Sequence, residues 1–344
     1  MLSPGKVQAD SYNGQKEEKQ MKFKKALLVE PGRFEIREVE ENPGRGQLLV
    51  KVASCGLCNW ELNFWQGKLG AGTGKPLALG HEWAGTVVET GEGVTDFQVG
   101  DVVACGVPEM SDFGGFAEYA VAGAGSVLKL APNINPKYAL GEPLKCILTV
   151  LRGAKPEAGD YGVVLGAGPM GMWCIQALRG EMLSELIVID IDDEKLKTAR
   201  KYGATVTINS RSQNVEEELK KITHGHMADF VIEGTGVPAL LDTAQDYLKF
   251  GKGRLILMSS HESVCEQFDF RKAVARSLEI IVTHPGHSDD PKDDFRRAMN
   301  LLTKGTFKNE EMVTHEFKLS EIMTAFHTLE HKPKDYLKGI VVPD

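Results

Sequence analysis

Apolar and polar positions change their rhythm near residue 160. From Lys22 to about Val150, short β-branched runs alternate with glycine-rich turns: QLLVKVASCG, EWAGTVVETGEGV, VGDVVACG and FAEYAVAGAG. Close turn signals between short runs predict an antiparallel, partly open barrel. From Tyr161, apolar strands and amphipathic helices alternate instead. GVVLGAG precedes PMGMWCIQALRG, LIVIDID precedes EKLKTARKYG, ATVTINS precedes VEEELKKITHG, and DFVIEGTG precedes ALLDTAQDYLKF and RLILMSS. Strand and helix in turn predict a doubly wound parallel sheet. The closing MVTHEFKLSEIMTAFHTLEHKPKDYLKGIVVP reads as strand, helix, strand, returning to the first unit. The class is α/β, divided into 22–150 completed by 301–344, and 151–300.

Composition narrows the partners. A chain of 344 residues that is 42% hydrophobic and 26% charged can bury a large core. A net charge of -8 with no basic run argues against nucleic acid or an anionic membrane as partner. Residues 1–21 are polar, lack an apolar signal core and read as a disordered extension, with Met21 as an alternative start. Tyr161–Leu178 is free of charge, but four glycines and a proline make it strand, turn and helix rather than a membrane span. Six cysteines are too few for a disulfide scaffold in a chain this long, and a cytoplasmic location is expected. The charged helix VEEELKKITHG reads as solvent-facing.

The chemistry begins at GAGPMG, between a strand and a helix, with Asp190 closing the next strand. Gly166 suits the tight turn, Gly168 the approach of a pyrophosphate and Gly171 the packing of helix on strand. Pro169 and Met170 open the helix whose N-terminal N–H groups would face the phosphates. Asp190 suits an adenosine ribose and would repel a 2′-phosphate, and no arginine follows it before Arg200, so NAD is expected over NADP. Thr235 and Gly236, then Ser259, Ser260 and His261, stand at carboxyl ends of strands, where ligands bind in such sheets.

A second constellation lies in the β-rich half. CGLC at Cys55–Cys58 follows a strand rather than opening a helix in a β-α-β unit, which disfavours a redox pair and leaves core packing or metal binding. Gly80-His81-Glu82 begins 22 residues beyond Cys58, and Glu142-Pro143-Leu144 follows later. Thiolate, imidazole and carboxylate form the three-ligand set of a catalytic zinc with an open position. Such a cation eases loss of an alcohol's proton, and the alkoxide can give up hydride to NAD.

CGLC, GHEWAGTVVETGEGV, VGDVVA, EPL, VVLGAGPMG and THEF…YLKGIVV stand in an order that resembles zinc-dependent medium-chain dehydrogenases/reductases. The likeness is strongest to their polyol (sorbitol) and threonine dehydrogenase branch and runs from Lys22 to the C-terminus. It implies a GroES-like catalytic domain, a Rossmann domain and an active site between them. It also implies Cys58, His81 and Glu142 as zinc ligands, Glu82 beside or exchanging into the shell, and Cys146 as a rival to Glu142. Only Cys105 stands where relatives carry a four-cysteine lobe, so one catalytic zinc and no structural zinc are expected. Relatives relay the substrate proton through serine or threonine, then histidine. Here those positions hold Trp60 and Asn63, so Glu82, Glu61 or an ordered water is expected to carry it, with Glu61 alternatively a structural partner.

Trp60, Phe64 and Trp65 are candidates for a stacking wall against a sugar ring. Asn63, His284 and His287 are further candidates for substrate contacts. The expected activity is oxidation of a secondary alcohol of a polyol, cyclitol or sugar derivative by a homodimer or homotetramer joined near LEIIV. The alternative is a lyase or epimerase using tightly held NAD for transient oxidation.

Overall fold

A computed structural model describes residues 21–70, 74–107, 109, 113–180, 182–260 and 264–344. The N-terminal extension through residue 20, and His261, lie outside the described residues. Two sheet systems carry the architecture. The alternating segment forms a six-stranded, wholly parallel sheet in the order Val206–Asn209, Glu185–Asp190, Tyr161–Leu165, Phe230–Glu233, Arg254–Leu257, Glu279–Val282. Chain order reverses between Tyr161–Leu165 and Phe230–Glu233, and the loop after Leu165 opens at that switch point.

The β-rich half builds a seven-stranded sheet around Gln47–Gly56, which pairs with Trp83–Thr90, Tyr119–Gly123 and the C-terminal Lys338–Val342. Val313–Lys318 lies parallel to that last strand, so both strands of the closing segment belong to the sheet built on Gln47–Gly56. Ile340 and Val341 sit opposite Gly56 and Cys55, which brings the chain's end against CGLC. A three-stranded sheet of Arg33–Glu41, Met21–Glu30 and Leu77–Ala78 completes this half.

The helix Gly141–Ala154 links the two systems, and its buried Leu144 and Ile147 share one core cluster with Ala104 from the first half and Phe230 and Ile256 from the parallel sheet. It packs on the helix Pro291–Thr303 through Thr149 Oγ1, 2.9 Å from Asp294 Oδ2, and Arg152, 2.7 Å from Asp293. Divisions at 150/151 and 300/301 therefore cut through two helices that hold each other. A change of rhythm in the sequence appears only where the next strand begins, after the linking helix has ended. Among the described residues no helix is long and apolar enough to cross a membrane.

Candidate active site

CGLC divides its labour at the end of Gln47–Gly56. Cys55 is fully buried, and a Cβ on Gly80 would lie 2.9 Å from its sulfur, so it packs in the core. A Cβ on Gly56 would lie 2.0 Å from Glu82 Oε2, so glycine there admits that carboxylate. Cys58 caps the short helix Asn59–Trp65 and is half-buried. Its sulfur, a His81 ring nitrogen and a Glu82 oxygen lie within 4.8 Å of one another. Glu142 stands at the edge of this group, with Oε2 3.6 Å from His81 Nε2. Glu82 is thus within mutual reach of Cys58 and His81, and Glu142 adjoins the imidazole.

Glu61 lies behind the imidazole. Its Oε1 accepts from the backbone N–H of Gly80 at 2.9 Å and of His81 at 3.0 Å, and is 2.7 Å from His81 Nδ1. This fully buried carboxylate fixes the ring so that Nε2 faces the other donors. The position is that of an orienting partner, the alternative role expected for Glu61 beside proton transfer. Glu82 is held too. Lys338 Nζ is 2.6 Å from Glu82 Oε2 and donates to the Leu57 carbonyl at 2.9 Å, while lying 5.7 Å from the centre of the Trp173 ring. A buried lysine from the last strand thereby ties the Cys58, His81 and Glu82 group to the helix that follows the glycine loop.

These contacts leave an electrostatic signature. Desolvation pushes the Cys58 thiol up, against the hydrogen bond from His81. Burial alone would lower His81, but the Glu61 charge, the Cys58 hydrogen bond and Glu142 together raise it well above its ordinary range. Burial raises Glu82 although Lys338 opposes it, and burial also raises Cys146, with Glu142 adding to the shift. Thiol, imidazole and carboxylate brought together in one desolvated group form a donor set that suits a divalent cation, whose binding would displace protons from the thiol and the imidazole.

Around His81 stands an aromatic enclosure. Trp60 meets the His81 ring edge-on at 5.5 Å, Phe64 at 4.6 Å and Phe113 at 5.4 Å. Trp60 and Phe64 share a helical face, whereas Trp65 is turned into the core against Phe326 and His327. Trp65 therefore does not belong to the wall. Asn63 is buried, and its backbone carbonyl accepts from the N–H groups of Lys68 and Leu69, closing the helix. His284 is exposed in the loop after Glu279–Val282, with its ring 4.8 Å from that of His287.

At the switch point, Gly166 has φ +100°, and a Cβ there would lie 2.9 Å from Thr235 Cγ2. A Cβ on Gly171 would lie 2.0 Å from the Gly166 carbonyl oxygen, whereas one on Gly168 would meet nothing within 4 Å. Pro169 and Met170 begin the helix Pro169–Leu178. Asp190 accepts from Ala167 N–H at 2.7 Å across the glycine turn, and from Ile191 and Asp192 N–H. Beyond it, Ile191, Asp192, Asp193, Glu194, Arg211 and Lys334 line a cleft of about 320 Å³. Thr235 donates from N–H and Oγ1 to buried Glu233, and Ser259 packs beside Gly236.

Sequence reasoning missed Lys338, Phe113, Arg211 and Lys334. A lone lysine opening the apolar run KGIVV was a readable signal for the first; the others arrive from distant segments.

Residues 44–132 match the family model described as an alcohol dehydrogenase GroES-like domain, and residues 169–304 match that of a zinc-binding dehydrogenase. L-threonine 3-dehydrogenase of Pyrococcus furiosus is 34% identical over 313 residues, covering 83% of this chain and 88% of that protein. Sorbitol dehydrogenase of Halalkalibacterium halodurans is 27% identical, covering 91% and 96%. The crystal structure of 2R,3R-butanediol dehydrogenase from Bacillus subtilis superposes with a TM-score of 0.82 at 26% identity, covering 94% of this chain and all of that one. The two matched domains and the relatives agree with the geometry, and the chain belongs to the zinc-dependent medium-chain dehydrogenase/reductase superfamily of oxidoreductases acting on CH–OH groups.

Proposed function

We propose that the protein oxidises a secondary alcohol of a polyol, cyclitol or sugar derivative, transferring hydride to NAD with the help of one zinc. The observation that carries this reading is the group of half-buried Cys58 with buried His81 and Glu82, and Glu142 at its edge. Cys58, His81 and Glu142 would hold the metal, with Glu82 beside it or exchanging into the shell so that one position stays open; the metal when bound polarises the alcohol and eases loss of its proton. Glu61 keeps His81 Nε2 turned to the group, and Lys338 balances the charge of Glu82. Trp60, with Phe64 and Phe113, screens the site from water and offers an apolar face to a substrate ring.

Gly166, Gly168, Pro169, Met170 and Gly171 would seat the pyrophosphate, and Asp190 the ribose. Thr235 and Ser259 stand near the dinucleotide's path. Asp190 and the run Asp192–Glu194 favour NAD by repelling a 2′-phosphate, against Arg211 and Lys334 in the lining of the same cleft. Self-association through Glu279–Val282 is supported by the exposed Val282 of that edge strand and by Phe270 and Val274 on the neighbouring helix. All six cysteines are free, which supports a reducing, cytoplasmic setting.

The test is a panel of polyols, cyclitols and sugar alcohols assayed with NAD and with NADP on zinc-loaded protein. The reading expects kcat/KM with NAD to exceed that with NADP for at least one secondary alcohol. Zinc-loaded protein that oxidises none with either cofactor would overturn it.

A further inference from the structure

Cys146 has no role in the site so far. It lies one helical turn after Glu142 in Gly141–Ala154, so the two side chains share a face. Cys146 is 8% exposed, its thiol donates to Glu142 Oε1 at 3.0 Å, and Lys145 Nζ lies 3.8 Å from the same oxygen. Glu142's other oxygen, Oε2, is 3.6 Å from His81 Nε2. Since Glu61 occupies Nδ1, Nε2 is the imidazole nitrogen that remains for a cation. The carboxylate is thus divided, with one oxygen tied back to its own helix and the other facing the metal group.

We propose that Cys146 is a positioning residue whose S–H holds Glu142 so that only Oε2 faces the ion. This rests on the zinc reading above. A carboxylate free to rotate about its last bond can clasp a cation through both oxygens. In a catalytic zinc site that second oxygen would fill the position a substrate must enter. The thiol prevents it by occupying Oε1 from within the helix, where Cys146 is itself buried. Serine at 146 keeps a donor, and valine fills the volume without one.

The experiment is cobalt(II) substitution of the full-length wild type, Cys146→Ser and Cys146→Val, read by absorption and followed by steady-state kinetics on the zinc forms. The sulfur-to-cobalt charge-transfer band is expected at one-thiolate intensity in all three, from Cys58 alone. The visible ligand-field bands are expected to fall several-fold in Cys146→Val as the coordination number rises, with substrate KM raised more than kcat is lowered. Both are expected to return towards wild type in Cys146→Ser.

Unchanged bands and kinetics in Cys146→Val would overturn the proposal and make Cys146 an ordinary core residue. Loss of half the charge-transfer intensity in Cys146→Val would also overturn it, by making the sulfur itself a ligand. Wild type that takes up no cobalt would instead defeat the zinc reading, and this proposal with it. Should Cys146→Val fail to fold, Cys146→Ala gives the same spectroscopic comparison.

Discussion

Replacing Glu61 by glutamine separates an orienting carboxylate from a proton carrier. Oε1 takes three N–H groups, from Gly80, His81 and the His81 ring, inside a fully buried setting. Glutamine keeps the shape and an acceptor oxygen, so the two backbone donors stay paired. What it loses is the charge opposite Nδ1. Hydrogen bonds to charged groups contribute about 1.5–3 kcal/mol and neutral ones about 0.5–1.5 kcal/mol, so the deficit is about 1–2 kcal/mol. That corresponds to a loss of roughly tenfold, at the lower edge of the ~10–100-fold typical of partners behind metal ligands. Zinc affinity measured by chelator competition should therefore fall about tenfold, while the pH dependence of kcat keeps its shape. Wild-type zinc affinity combined with an altered pH–rate profile would refute the argument and return Glu61 to proton transfer.

Other perturbations read other parts of the molecule. Gly168→Ala meets no protein atom and should leave thermal unfolding unchanged while weakening NAD binding in calorimetry; Gly171→Ala puts a Cβ against the Gly166 carbonyl and should cost about 1–3 kcal/mol or more of stability in denaturant unfolding. Lys338→Met leaves Glu82 without its buried cation and should destabilise the metal-free protein by about 3–5 kcal/mol, much of it restored by adding Glu82→Gln. Because Cys58 and His81 both titrate above their ordinary ranges, zinc must displace protons from them, so affinity should rise steadily with pH between about 6 and 9. A flat competition curve would count against these two residues as ligands.

Much of this was readable in the sequence because it is local. The period of the apolar pattern announces the parallel sheet, and GAGPMG between strand and helix marks the switch point, since turn, phosphate approach and packing all act within a few residues. CGLC and GHE carry their chemistry in adjacent letters. What escaped depends on contacts across the chain. Lys338 reaches Glu82 only because the last strand pairs with Gln47–Gly56, and Glu61 reaches His81 only because a short helix folds over the Gly80 turn. The opposite facing of Trp60 and Trp65 follows from the helical phase of Asn59–Trp65, which a run of aromatics does not display. Arg211 and Lys334 enter the cleft beside Asp190 from segments that reasoning along the following residues never visits.

Zinc content is the most direct measurement. Untagged, chelator-free protein should hold about one zinc per chain by elemental analysis, and Cys58→Ser should lose it while remaining folded. Wild-type protein without zinc, or a Cys58→Ser variant that keeps it, would contradict a catalytic metal held by Cys58, His81 and the neighbouring carboxylates.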